Sequence, residues 1–154
     1  MYFAEYDSPV GRLSLYSDGK ALTHLLFERE ETRPQSEDTV LRNTKQWLDA
    51  YFRGEEPPLE IPMAPVGTAF QKLVWELLLE IPYGQTSTYG ELAREAAVRM
   101  GKEKMSAQAV GQAVGSNPIS ILIPCHRCVG AGGKLTGYAW GVEKKKWLLD
   151  HEAK

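Results

Sequence analysis

Four consecutive residues, Cys125 to Cys128, carry the groups in this chain that are best suited to covalent chemistry. Cys125 is followed directly by His126 and Arg127, and Cys128 completes a C-x-x-C spacing. A thiol attacks slowly until it loses its proton, and a neighbouring base or cation lowers its pKa from the free value of about 8.5. The pattern therefore predicts an activated thiolate. Pro124 lacks a backbone N–H, so we expect the chain to change there from an extended segment to a loop.

Other uses of the two cysteines are compatible with these residues. A single cysteine is often a small buried hydrophobe, and a C-x-x-C can be a redox pair or half of a zinc site. The three histidines, His24, His126 and His151, offer no second ligand pair at zinc spacing, which disfavours structural zinc. In a strand, Cys125 and His126 would point to opposite faces, so they cooperate only if the chain bends or a water bridges them.

Length, composition and charge limit the class of protein. The 154 residues suit one domain or two small ones, and 43% hydrophobic with 25% charged residues is ordinary for a soluble protein. No apolar run approaches the ~20 residues of a membrane span, and the N-terminus lacks a secretory pattern, so we expect a cytoplasmic protein. Residues 1–60 carry 7 basic and 12 acidic side chains, whereas residues 61–154 carry 11 and 8. Only the second part therefore suits a polyanion.

The first sixty residues predict a small sheet with one helix. Three runs have strand composition: 2–7, 11–17 and 21–28. Asp18-Gly19 is a hairpin signal between the second and third runs. Residues 29–36 are polar and predict a loop, and apolar residues recur at helical spacing over 37–53.

A proline-rich link at 54–66 leads to a second, mainly helical part. Helical patterns fall in four segments: 68–80, 88–98, 106–115 and 142–152. In the last of these we expect Trp147, Leu148 and Leu149 to face inward and lysines 144–146 to be solvated. The glycine-rich turn at 130–134 predicts a link between two short strands.

The segment 106–115 is unusual because it contains almost only Ala, Gly, Gln and Val. Its two interior glycines each cost about 1 kcal/mol of helix propensity relative to Ala, which indicates a packing or functional reason for them. One interpretation is tight packing against a neighbouring helix. The other is a helix-turn-helix formed with 88–98, in which the small side chains of the second helix enter a DNA minor groove.

Two further features bear on the cysteine. The loop 137–141 carries Tyr138 and Trp140 between glycines, and it could form a pocket for a flat ring or fill the core. Glu152 could be an ordinary surface acid. It is also a candidate to orient His126, as a carboxylate does in a nucleophile–base–orienter arrangement.

The run Ile123-Pro124-Cys125-His126-Arg127 resembles the active-site signature of O6-alkylguanine-DNA alkyltransferases, also called methylated-DNA–protein-cysteine methyltransferases. Other matches follow in order between about Phe70 and Glu152: Tyr83-Gly84, 89–93, 109–111, Asn117-Pro118, Gly137-Tyr138 and 147–152. Residues 1–60 resemble the family only in the type of domain, a small sheet with a helix packed on it. The resemblance implies an α+β protein, with a ribonuclease H-like sheet-plus-helix domain at 1–60 and a winged helix-turn-helix-like alkyltransferase domain at 61–154.

The resemblance also implies a reaction, the direct reversal of DNA alkylation. An alkyl group would pass irreversibly from O6-alkylguanine, and from O4-methylthymine, to Cys125 in a single turnover. His126 would take the thiol proton through a water, and Glu152 would orient His126. Asn117 would brace the site loop, and Tyr89 would rotate the target phosphate and donate a proton toward the guanine ring.

Binding residues follow from the same resemblance. It implies a base pocket formed by Tyr138, Ala139, Trp140 and Val129. It implies DNA contacts by Tyr89, Ala107, Gln108, Ala109, Gly111, Gln112 and Arg127. We expect double- and single-stranded DNA as partners, bound through the minor groove with the guanine flipped out, and a monomer without cofactor, metal or membrane contact. The chain departs from the family at Gln108, where arginine is usual, at Cys128, where Val or Ile is usual, and at Trp140, where many members have Gly.

Two other functions remain compatible with the sequence. A lesion-binding module of the same fold would lack the acceptor cysteine, whereas Cys125 is present. A thiol hydrolase or redox protein would use Cys125 with His126 or Cys128. Acyl-enzyme turnover or a working disulfide would distinguish it from an alkyltransferase.

Overall fold

The computed structural model describes residues 1–28 and 33–154, and the chain divides into two compact units. Unit 1 contains Met1–Val66, Pro118–Ser120 and Lys154, and unit 2 contains Gly67–Asn117 and Ile121–Ala153. The three strands of unit 1 and the five helices occur in the predicted order, so the α+β class is confirmed. The domain boundary at residue 60 stays a prediction. Part of the predicted loop 29–36 lies outside the described residues.

Unit 1 is an antiparallel three-stranded sheet with one helix against it. The strands pair in chain order: β1 (Tyr2–Ser8), β2 (Gly11–Ser17) and β3 (Leu22–Leu26). The predicted hairpin turn is confirmed, because the Asp18 carboxylate accepts from two backbone N–H groups and Gly19 takes a φ of +95°. Helix α1 (Thr39–Phe52) begins at Asp38, whose side chain caps it, and buries Leu41, Leu48 and other apolar residues.

The short segment Pro118–Ser120 also belongs to unit 1. Leu25 in β3 donates its N–H to the Pro118 carbonyl over 2.9 Å, and Ser120 donates to the Leu25 carbonyl over 3.0 Å. Ile119 thereby forms a parallel bridge with Leu25. The chain leaves unit 2 after Asn117 and returns to it at Ile121, four residues before Cys125.

Unit 2 holds the four predicted helices and a minimal sheet. The elements are α2 (Ala69–Leu79), β4 (Ser87–Thr88), α3 (Tyr89–Met100), α4 (Ala107–Gly115), β5 (Cys128–Val129) and α5 (Val142–Glu152). Each of the first three helices begins at a hydroxyl cap, supplied by Thr68, Thr88 and Ser106. β4 and β5 pair in parallel. Among the described residues, no helix is long and apolar enough to cross a membrane.

Helices α2, α3 and α4 pack around a small core. The buried Trp75 indole donates to the Ala113 carbonyl over 2.8 Å, which fixes α4 against α2. Helices α3 and α4 contact each other, and Ala96 on α3 and Val110 on α4 are both fully buried, so the two helices form the pair that one interpretation of 106–115 predicted. Trp75 is therefore a core residue.

Two predictions about extended structure are wrong. The apolar run before Cys125 is a buried turn, in which Ile121 takes a left-handed φ of 70°. The Asn117 side chain donates to the Ile123 carbonyl over 2.8 Å, so a side-chain amide supplies a partner that a strand would have found in a sheet. A short apolar run by itself does not distinguish these cases. Of the two strands predicted around the turn at 130–134, only β5 exists, and the chain from 134 to 138 is irregular.

Candidate active site

Cys125 begins a single turn of 3-10 helix, Cys125–Arg127. Its N–H is donated to the Ile123 carbonyl over 2.8 Å, and Arg127 donates to the Pro124 carbonyl over 3.0 Å. This turn removes the strand alternation that would have sent Cys125 and His126 to opposite faces. The thiol is almost wholly buried, with 5% of the residue exposed, and it lines a cavity of unit 2.

His126 forms a buried pair with Glu152 at the end of α5. Its Nε2 lies 2.6 Å from the Glu152 carboxylate, and neither side chain is more than 1% exposed. The other ring nitrogen, Nδ1, is buried without a hydrogen-bond partner among the described residues. Burial lowers the pKa of His126, against the opposing influence of Glu152. A neutral imidazole with one nitrogen fixed by a carboxylate leaves the other nitrogen able to accept a proton.

Arg127 fixes the Glu152 carboxylate from a second side. The guanidinium donates to Glu152 over 2.8 and 3.2 Å and to the Ile81 carbonyl over 2.8 Å. Gly84 adds a backbone N–H to the same carboxylate at 3.3 Å, and a Cβ at this glycine would lie 3.3 Å from the Glu152 carbonyl. The Arg127 side chain is only 12% exposed, so its charge is directed into unit 2.

The environment of Cys125 differs from that of Cys128. Burial raises the pKa of Cys125, while hydrogen bonds with Asn117 and Tyr138 and the charge of Lys145 act in the opposite direction. Cys128 lies on β5 and is fully buried, and burial raises its pKa to about 12. Cys125 alone of the two faces the cavity. Both thiols are free.

Lys145 is the functional candidate that the sequence analysis missed. It was predicted to be solvated, but it is fully buried, and its ammonium donates to the Gly137 carbonyl over 3.2 Å and the Thr136 carbonyl over 3.4 Å. It also lies 5.8 Å from the centre of the Tyr89 ring. Burial lowers the pKa of Lys145. Its spacing contained the signal, because 145, 148 and 152 recur at three and four residues along α5 and share one face.

The other predictions for α5 were partly wrong. Leu148 is buried as expected, whereas Trp147 and Leu149 are only half-buried. The stacked ring of His151 covers Trp147, with 4.9 Å between ring centres. The inward face of α5 is therefore narrower than the run of apolar residues indicated.

The cavity beside Cys125 brings together most of the residues predicted for the base pocket. Its volume is about 190 Å³, and its lining includes Tyr89, Asn117, Cys125, Tyr138, Ala139 and Trp140. Val129 is buried on β5 and is absent from that lining. Burial raises the pKa of Tyr89 to about 12, so its hydroxyl keeps its proton at neutral pH.

Helix α4 presents an exposed face of small and neutral side chains. Ala107, Gln108 and Gln112 are exposed, and Ala109 and Gly111 are half-buried. Val110, Ala113 and Val114 form the opposite, buried face. A Cβ at Gly111 would lie 3.7 Å from the Tyr89 ring, which is ordinary contact, so α4 approaches the cavity closely at this point.

Comparisons with known proteins agree with this geometry. Residues 1–65 match the family described as 6-O-methylguanine DNA methyltransferase, ribonuclease-like domain, and residues 69–154 match its DNA binding domain. The methylated-DNA–protein-cysteine methyltransferase of Haemophilus influenzae is 47% identical over 99% of this chain and 86% of that protein. The protein of the same name from Methanosarcina acetivorans is 43% identical over 99% of this chain and 98% of that protein.

A solved structure matches the whole fold. The crystal structure of Mycobacterium tuberculosis OGT in complex with DNA has a TM-score of 0.87 and 39% sequence identity, and the match covers 99% of this chain and 93% of that one. Fold and site together define a protein with a buried thiol beside a cavity. The chain belongs to the 6-O-methylguanine DNA methyltransferase family.

Proposed function

We propose that this chain repairs DNA by moving an alkyl group from the O6 atom of guanine to the sulfur of Cys125. The observation that carries the proposal is the position of Cys125 at a cavity, next to a buried His126–Glu152 pair with one free ring nitrogen. Family membership supports the same reaction. The protein is thus a methylated-DNA–protein-cysteine methyltransferase that acts once on its own side chain.

The step is a displacement at a saturated carbon. Cys125 gives its proton through a bridging water to His126 Nδ1, and the resulting thiolate forms an S–C bond as the C–O bond to guanine breaks. The departing guanine takes a proton from the Tyr89 hydroxyl, and Tyr89 regains a proton from solvent. The product is a thioether without a carbonyl for water to attack, so Cys125 is not regenerated.

Supporting residues hold the reacting groups in position. Asn117 bonds the turn before Cys125 and Lys145 bonds the carbonyls of the 136–137 loop, which carries Tyr138 into the cavity wall. Arg127 is better explained by its bonds to Glu152 than by the DNA contact expected from the sequence. We assign Arg127 a positioning role.

The manner of DNA binding is also part of the proposal. The small exposed side chains of α4 suit insertion into the minor groove, with the target guanine flipped into the cavity. We infer action on both double- and single-stranded DNA by a monomer in the cytoplasm, and acceptance of O4-methylthymine as a second substrate. Val129 is buried and lies outside the cavity lining, so it would affect base binding only by supporting the residues that line the cavity.

Mass spectrometry of the intact protein tests the reaction. After incubation with DNA that contains O6-methylguanine, the mass should rise by one methyl group, and the adduct should map to Cys125. Activity should stop at one equivalent, and Cys125→Ser should bind DNA without accepting the methyl group. Sustained turnover, or an adduct on Cys128, would contradict the mechanism.

A further inference from the structure

The turn between α3 and α4 forms a groove separate from the Cys125 cavity. Its volume is about 450 Å³, and small or apolar side chains such as Ala97 and Val98 make up part of the lining. Three cations complete it: Arg94, Lys102 and Lys104. All three side chains are exposed. The groove therefore concentrates positive charge on a small surface of unit 2.

These three cations are available to an incoming anion. Elsewhere in unit 2, Arg99 is paired with Glu80 and Lys146 with Asp150. Within residues 1–28 and 33–154, no carboxylate forms an ion pair with a groove cation. Glu103 is the one carboxylate in the lining, so the groove keeps a net positive charge.

We propose that the three cations of this groove bind successive backbone phosphates of the DNA strand that passes beside α4. The groove lining reaches Ala107, the first residue of α4, and Gly90, the neighbour of Tyr89. The groove is thus continuous with the surface proposed to bind DNA, and this inference rests on that proposal. Arginine and lysine bind a phosphodiester through charge, so the site adds affinity without a preference for base sequence.

The composition of α4 explains why a separate phosphate site is useful. No residue from Ala107 to Gly115 carries a charge. The exposed face of α4 can fit the DNA minor groove by its shape, but it has no charge with which to neutralise a phosphate. The adjoining turn supplies the positive charge that α4 lacks.

Salt-dependent binding of unmodified duplex DNA tests the site. The variant carries Arg94→Gln, Lys102→Gln and Lys104→Gln together. Each lost phosphate contact lowers the slope of log affinity against log salt concentration by about 0.9, so the slope should fall by roughly two to three. Near 0.1 M salt the affinity should fall at least about tenfold, as such a slope implies. Unchanged urea denaturation would confirm that the variant is folded.

A matched control separates the groove from net charge. Lys72→Gln, Arg99→Gln and Lys146→Gln remove the same charge from residues outside the lining, and should change the slope by less than about one. In the opposite direction, Glu103→Gln should tighten binding, whereas Glu76→Gln on α2 should not. The proposed phosphate site would be contradicted if the salt slopes of the groove and control variants were equal. It would also be contradicted if the groove variant kept the wild-type salt slope.

The free base distinguishes this proposal from the proposed function. Transfer of a methyl group from free O6-methylguanine needs no phosphate contact, so the groove variant should react with it at the wild-type rate. If the wild-type chain accepted no methyl group from either the free base or DNA, the proposed function would fail. If the wild type reacted and the groove variant bound DNA normally, only the phosphate site would fail.

Discussion

The turn that holds Cys125 and the exposed face of α4 differ in how their side chains are fixed. Around the turn, His126, Arg127 and Glu152 are buried and bonded to one another. On α4, the exposed residues are small or neutral. A buried polar network depends on every partner, whereas a surface that acts by shape tolerates the loss of one side chain. Substitutions in the two regions should therefore differ greatly in effect.

Loss of the Glu152 carboxylate should have the largest effect. In Glu152→Ala, the buried His126 ring, the Arg127 guanidinium and the Gly84 N–H all lose a partner. We expect the free energy of unfolding to fall by about 3–5 kcal/mol, because breaking a buried pair leaves uncompensated polar groups. Urea denaturation would measure it.

Asp150→Ala is the control for Glu152→Ala. Asp150 pairs with Lys146 on the same helix, and both side chains are at least 60% exposed. Its removal should change the free energy of unfolding by no more than about 0.5 kcal/mol. Similar losses of free energy of unfolding in the two variants would show that the buried network and the exposed surface respond alike.

The pH dependence of stability probes His126 itself. Burial lowers the pKa of His126 in the folded chain, so below pH 6.5 the unfolded chain binds a proton that the folded chain does not. The stabilising contribution is complete above about pH 6.5 and is lost as the pH falls toward the folded-state pKa. Urea denaturation at several pH values should show a shallower decline in His126→Gln. Parallel curves for variant and wild type would indicate that folding leaves the pKa of His126 unshifted.

Local signals account for the parts of the structure that were predicted. The helix caps at Thr68, Thr88 and Ser106 each bond a backbone N–H within one turn of their helix start, so they are local features of the sequence. The Asp18-Gly19 turn is equally local. Apolar periodicity identified the same helices, because each buries one stripe against its own unit.

Contacts with residues beyond one helical turn account for the failures. Lys145 is buried because the carbonyls of a loop eight and nine residues away bind its ammonium. The turn at Ile121 forms because the Asn117 amide reaches Ile123 within it. Arg127 turns inward toward Ile81, 46 residues away. Neither the pattern of charges nor the pattern of apolar residues in the sequence indicates such partners.

Trp140 tests how the cavity limits the alkyl group. Its side chain lines the cavity. Trp140→Gly should increase reactivity with O6-benzylguanine roughly tenfold or more, since a pocket contact of this kind is worth about 1–3 kcal/mol. The rate with O6-methylguanine, which needs little room, should change much less. Competition between the two free bases measures the ratio, and an equal change for both would show that Trp140 does not bound the alkyl group.

Gln108 should give the smallest effect, because it lies on the exposed face of α4. Flipping a base out of a duplex costs a few kcal/mol, and a side chain placed in the gap offsets part of that cost. Arginine does this well because its planar guanidinium stacks and donates hydrogen bonds, whereas glutamine is shorter and neutral. Gln108→Arg should speed repair of duplex DNA by roughly fivefold, which corresponds to about 1 kcal/mol. Rates on duplex, single-stranded and free-base substrates measure the effect.

The single-stranded and free-base reactions are the controls for Gln108→Arg. Neither requires a paired base to be flipped, so both rates should stay close to the wild-type values, with the free base the least affected. Gln112→Arg, also on the exposed face of α4, controls for the added charge. It should strengthen DNA binding in general without a selective gain on duplex lesions. An equal gain in the rate of duplex repair from both arginines would assign the effect to the added charge. No gain from Gln108→Arg on duplex DNA would show that residue 108 does not fill the place vacated by the flipped base.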